Sequence, residues 1–145
     1  GLAAAMRRQA ADFERTHGIA IRLRVYLPSR PPRELETLAY RWVQEGLTNV
    51  ARHAQARHVE IEVGGENGRL NLRLADDGQG LNLGRAGSDG FGLEAMRERV
   101  ELAGGALHLA PTPGGGLTLT ADIPWPESAA SPAGKPPDLT LRAHA

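Results

Sequence analysis

Residues 58–75 read HVEIEVGGENGRLNLRLA. Val59, Ile61 and Val63 alternate with polar residues in the first part, and Leu70, Leu72 and Leu74 do so in the second. Strict alternation marks a strand with one buried face and one wet face. The glycine-rich GGENG between the two runs is a turn, so the pair reads as a hairpin. A sheet built from such hairpins must receive its helices on one face only. The rest of the chain obeys this. IAIRLRVYL (19–27) sets Ile19, Ile21, Leu23, Val25 and Leu27 on one face, and ALHLA and GLTLTADIP are two further strands across PTPGGG. Helical periods occupy 2–16, 33–54 and 91–103, the last closed by Gly104 and Gly105. The order α β α β β loop α β β predicts an α+β two-layer sandwich, not a doubly wound parallel sheet. Its sheet is mixed and mostly antiparallel, covered on one face by helices.

At 145 residues the chain is about one domain long and buries a core without staples. It has no cysteine, which excludes disulfide frameworks, thiolate metal sites and cysteine nucleophiles. Lys+Arg and Asp+Glu both number 17, so no net charge draws it to nucleic acid or anionic lipid. No apolar run approaches the ~20 residues that span a bilayer. Residues 125–145 are rich in Pro, Ala and Ser without a period, which predicts a disordered tail. The expected division is therefore a leading helix at 1–16, a main domain at 17–124 and a tail at 125–145.

Three stretches carry chemistry. In QEGLTNVARHA (44–54), Glu45 and Asn49 lie ~40° apart around a helix and share a face. His53 continues that row, and Arg52 lies further round near the same end. A carboxylate and an amide oxygen are hard donors suited to Mg2+, although taken alone the pair fits better as a solvated face with an (i, i+4) hydrogen bond. Gly46, inside this helix, marks either a tight contact or room for a ligand. LADDGQG (74–80) ends a strand with Asp76, placed to accept from a ligand amino group, while glycines let a ligand near the backbone. A plain Asp-Gly turn is the bland alternative. GFGL (90–93) opens a helix and offers free amides to an anion such as phosphate.

In this order the three stretches resemble the ATP-binding domain of sensor histidine kinases, in the GHKL ATPase group (the Bergerat fold) that also holds DNA gyrase and MutL. QEGLTNVARHAQA, DDGQGL, GFGLEAMRERVELAGG and PGGGLTLTADIP are similar to the subfamily of nitrate/nitrite and lipid-fluidity sensor kinases. The resemblance covers roughly residues 15–124. It implies that Asn49 binds Mg2+ and that Glu45 supports the metal and its water, the two carrying the catalytic role. It implies that Arg52 and His53 lie near the ATP phosphates. Asp76, with Gly78 and Gly80, would read adenine; Asp77 stands where Asn is frequent. Gly90, Phe91, Gly92 and Leu93 would form the second glycine box at the phosphates, with residues 81–89 as a short lid. Thr118 is a further nucleotide-binding candidate. It sits one place after the usual threonine position, which is Leu117 here, and neighbouring strand residues face opposite ways. Ala95 replaces a frequent glycine.

The histidines are His17, His53, His58, His108 and His144, and none precedes Asp or Glu. The resemblance therefore implies a phosphoacceptor histidine on a separate dimerisation domain, with residues 1–16 the end of its second helix. It further implies transfer to that histidine, relay to a response regulator, a homodimeric parent and a cytoplasmic location beneath an optional membrane anchor. No nucleic acid or direct membrane contact is expected. The rival readings are an ATP-hydrolysing GHKL switch and a degenerate, non-catalytic interaction module.

Overall fold

The structure is a computed structural model that describes residues 1–80, 86–130 and 139–142; the side chains of 53–54, 86–91, 129–130 and 139–142 are outside that description. Its elements are α1 (Leu2–His17), β1 (Ala20–Tyr26), α2 (Arg33–Asn49), β2 (His58–Glu66), β3 (Arg69–Asp76), α3 (Ala86–Leu102), β4 (Ala106–Pro111), β5 (Leu117–Pro124) and β6 (Leu139–Arg142). The strands form one sheet in the order β4-β5-β3-β2-β1-β6. β1 and β2 run parallel and the other neighbours antiparallel. The mixed, mostly antiparallel α+β sandwich is as expected.

Alternation sorts the two faces. Ile21, Leu23, Val25, Val59, Ile61, Val63, Leu70, Leu72, Leu74, Leu119, Ala121 and Ile123 are buried. They share one core with Ala39, Trp42, Val43 and Leu47 of α2, Met96 and Val100 of α3, and Leu2, Met6 and Ala10 of α1. The leading helix thus packs into the same core as the rest. The opposite face is wet and charged. Arg24 pairs with Glu62 at 3.2 Å and Arg73 with Glu60 at 3.6 Å. Such half-exposed pairs are worth about 0–1 kcal/mol, but Arg24 and Glu62 are direct register partners, so they favour this alignment.

Three boundaries differ from expectation. The turn after β2 is only Asn67-Gly68, both at positive φ (57° and 78°), a type I′ hairpin. Gly64 and Gly65 stay in the strand because a Cβ on Gly64 would overlap the Tyr26 ring, and one on Gly65 the Trp125 ring. The α-helical part of α2 ends at Asn49 and is followed by a π-helical turn, Val50–Ala54, closed by Gln55 at φ 50°. The third helix starts at Ala86, five residues before the expected 91. Its other end is as read: Gly104 N donates to Glu101 O and Gly105 N to Val100 O, both at 2.9 Å, a Schellman close.

The tail expected from residue 125 does not begin there. Trp125 is 0% exposed, and its N–H donates to Gly68 O at 2.7 Å. The Ser128 hydroxyl and amide both bond to Trp125 O, at 2.8 and 3.0 Å. β6 then pairs antiparallel with β1 from Arg22 to Val25. A lone tryptophan between prolines carries no period, so its burial is invisible until Gly65 is seen to make room for it. Trp125→Ala is expected to destabilise the chain by about 3–5 kcal/mol, the range for emptying a buried aromatic site, read as a lower urea midpoint at unchanged slope. An unchanged midpoint would place Trp125 outside the core.

Candidate functional site

Asp76 follows Leu70, Leu72 and Leu74 on the inner face of β3 and is 5% exposed. Its Oδ1 accepts from Gly78 N at 2.9 Å and Leu117 N at 3.4 Å. Among the described residues its Oδ2 has no hydrogen-bond partner. Burial raises its pKa above the usual carboxylate value, the Gly78 and Leu117 amides pull it back, and the Asp77 charge adds to the rise. The floor beside it is backbone. Gly116, at φ 100°, packs so closely that a Cβ would overlap the Asp76 carbonyl and stand 2.8 Å from Oδ1. A Cβ on Gly80 would lie 3.2 Å from Gly116 O, and one on Gly115 3.5 Å from Gly78 O. The PTPGGG turn therefore forms half of this cradle. The sequence signal was three consecutive glycines, more than a turn alone requires. Thr118 is not brought here. It alternates with the inward Leu119 and lies on the outer face, its hydroxyl 2.9 Å from that of Thr112.

Glu45 and Asn49 share a face of α2, as spacing required. Gly92 of α3 lies against both: a Cβ there would stand 3.2 Å from Glu45 Oε2 and 3.3 Å from Asn49 Oδ1. Asn49 Nδ2 is buried without a hydrogen-bond partner among the described residues. A carboxylate and an amide oxygen are chemically fit to share a small hard cation with water. Among the described residues no cluster of three or more His, Cys, Asp or Glu offers a fuller metal cage. Gly46 resolves to the tight contact: a Cβ there would stand 2.7 Å from Leu74 Cδ1.

Other expectations fare differently. Arg52 is exposed and lines the groove between α1 and α2 with Phe13, Tyr40 and Thr48, away from the Glu45 face. Gly90 and Gly92 lie inside α3. Their amides are therefore interior helix donors rather than the free first-turn groups expected at 90. Leu93 packs partly buried against the core. The side chains of His53 and Phe91 and residues 81–85 of the expected lid lie outside the described residues.

Asp77 has a different task from Asp76. Its Oδ1 accepts from Arg57 N at 2.8 Å and His58 N at 3.0 Å, and its Oδ2 lies 2.8 Å from His58 Nδ1. Desolvation acts upward on its pKa, but the His58 and Arg57 amides and the His58 ring together outweigh it and lower the value from 3.8 to about 2. Close by, Gln79 Nε2 donates to Gln55 Oε1 at 2.8 Å.

The chain belongs to the family described as Histidine kinase-, DNA gyrase B-, and HSP90-like ATPase, whose model matches residues 34–127. It is thus an ATP-binding domain of histidine-kinase type. It is 30% identical over 125 residues to the signal transduction histidine-protein kinase/phosphatase DegS of Brevibacillus brevis, covering 86% of this chain and 32% of that protein. It is 32% identical over 126 residues to the oxygen sensor histidine kinase NreB of Staphylococcus carnosus, covering 86% and 36%. The chain therefore spans about a third of the length of these relatives. Among solved structures, the Erythrobacter litoralis EL346 blue-light activated histidine kinase superposes with a TM-score of 0.69 at 26% identity, over 87% of this chain and 42% of that one. The ATP binding domain of PrrB from Mycobacterium tuberculosis shares the fold, with a TM-score of 0.62 at 21% identity over 85% and 93% of the chains.

Two outcomes are expected from this geometry. Gly116→Ala imposes side-chain strain at positive φ and an overlap with Asp76, so it is expected to destabilise by about 1–3 kcal/mol or more, read by urea unfolding. For Asp77, a pKa held below its unfolded value contributes stability that is present above about pH 4 and is lost as pH falls toward 2. Melting temperatures of Asp77→Asn are therefore expected to fall less steeply than wild type between pH 4 and pH 2.5. Equal slopes would remove Asp77 from the acid response.

Proposed function

We propose that this chain is the catalytic ATP-binding domain of a sensor histidine kinase of the nitrate/nitrite-sensor-like group. Its work is to deliver the γ-phosphoryl group of ATP to a histidine on a dimerisation domain outside the chain, for relay to a response regulator. The observation that carries this is Asp76: a buried carboxylate with one oxygen held by backbone amides and the other open, beside a floor of glycine backbone.

The open Oδ2 accepts from the exocyclic amine of adenine, and the missing Cβ atoms at Gly80 and Gly116 let the two loops that frame Asp76 close on each other. Glu45 and Asn49, with their hard oxygens, would hold Mg2+, which when bound supplies positive charge at the phosphates. Asn49 orients that end of the nucleotide and Glu45 orients water around it. Gly92, next to both, brings the α3 backbone to the phosphates without a side chain between. The Gly90 and Gly92 amides become free donors once the first turn of α3, from Ala86, opens. Gly87, Gly90 and Gly92 each weaken this helix by about 1 kcal/mol relative to Ala, which favours the opening. Positioning and electrostatics account for most phosphoryl-transfer catalysis, so no general base is assigned to this chain. Residues 1–16 are read as the end of a dimerisation helix, the parent as a homodimer, and the location as cytoplasmic. Among the described residues no helix is long and apolar enough to cross a membrane.

The test is calorimetric titration with a non-hydrolysable ATP analogue, with and without Mg2+, on wild type and Asp76→Asn. Wild type is expected to bind with Mg2+, and Asp76→Asn about tenfold or more weaker, as for a hydrogen bond to a charged group. Labelled ATP should then phosphorylate a supplied dimerisation domain on histidine. Hydrolysis without any such domain would favour an ATPase switch, and absence of nucleotide binding a degenerate interaction module.

A further inference from the structure

Asp76 and Asp77 are adjacent at a strand end, so their side chains leave on opposite sides. One carboxylate faces the glycine cradle while the other bonds to the protein itself. Asp77 N donates to His58 O at 3.3 Å, and Asp77 Oδ1 accepts from the amides of Arg57 and His58. Two residues on, Gln79 bonds to Gln55, which closes the π-helical turn that follows Asn49. Segments 55–58 and 77–79 are therefore laced at both ends. Opposite this lacing, the Gly116 backbone presses on Asp76.

We propose that Asp77, assisted by the Gln55–Gln79 bond, is a positioning residue for base recognition. It ties the Asp76 loop to the exit of α2 and so fixes where the open Asp76 oxygen stands relative to Asn49. This rests on the reading of Asp76 given under Proposed function. Asp77 touches no ligand; it acts through Asp76. With the lacing cut, the loop drifts and the oxygen loses its aim at the base. The Glu45–Asn49 end, held by α2 itself, keeps its geometry. The signature is thus a loss of base selectivity rather than a general weakening. Adenine presents an amine donor to a carboxylate, whereas guanine presents a carbonyl oxygen at the same edge, which the carboxylate repels.

The experiment measures dissociation constants of the full chain for ATP, GTP and inorganic tripolyphosphate, each with Mg2+. The proteins are wild type, Asp76→Asn, Asp77→Ala, Asp77→Asn and Gln79→Ala. Asp77→Ala is expected to weaken ATP about tenfold, the scale of losing charge-assisted hydrogen bonds, and to narrow the ATP-to-GTP ratio by a similar factor. Tripolyphosphate should stay within about twofold, a change too small to count as a lost hydrogen bond. Asp77→Asn should restore the ratio, because its amide oxygen accepts from the same two N–H groups. If Asp77→Ala does not fold, Gln79→Ala carries the test, since it removes one exposed bond and should narrow the ratio in the same direction. An unchanged ratio, an equal loss for all three ligands, or an Asn variant no better than Ala would each overturn the positioning role. Failure of the underlying reading shows elsewhere: a wild type without preference for ATP, or an Asp76→Asn that keeps it, overturns both.

Discussion

At the end of β3, one carboxylate oxygen sits where two backbone amides and the Gly116 backbone converge. The amides of Gly78 and Leu117 reach Asp76 from two separate loops, so the close contact exists only when the β3 exit and the β4–β5 turn are both in place. Glycine at 116 is obligatory for two reasons that coincide: a φ of 100° and a neighbour that leaves no room for a Cβ. The buried acid carries a desolvation penalty, which the amides of Gly78 and Leu117 offset in part.

The second end of the site depends on how near α2 lies to the sheet. Gly46 sets that distance through Leu74, two residues before Asp76 on the same face of β3. The helix that buries Trp42, Val43 and Leu47 also carries Glu45 and Asn49 round to α3. Core packing and site geometry are thus the same contact seen from two sides. A change of packing at Leu74 would shift both ends of the site together.

Much of this was legible in the residues. Period-two alternation gave the strands and their inner faces, because a half-buried strand has no other way to satisfy both sides. The four-residue spacing of Glu45 and Asn49 gave a shared helix face. What escaped has physical causes. The hairpin turn was read as five residues because glycine signals freedom, whereas Gly64 and Gly65 are glycine for lack of space beneath two rings. Trp125 looked like tail because burial of a single residue has no period. The resemblance implies Arg52 near the phosphates, but Arg52 lies over the groove between α1 and α2, away from the Glu45 face. Thr118 was included despite facing the other way, and strand alternation removes it.

The sequence by itself determined the two-layer architecture, the inward faces and the residue types at each end of the candidate site, because these follow from local periodicity and side-chain chemistry. Only the tertiary structure decided which neighbour of the acidic pair is open and which is tied down. It also decided that a glycine turn some forty residues further along the chain completes the cradle and that Trp125 closes the core. Those outcomes depend on close approach between segments distant in sequence, where van der Waals exclusion and hydrogen-bond direction act and local patterns carry no information.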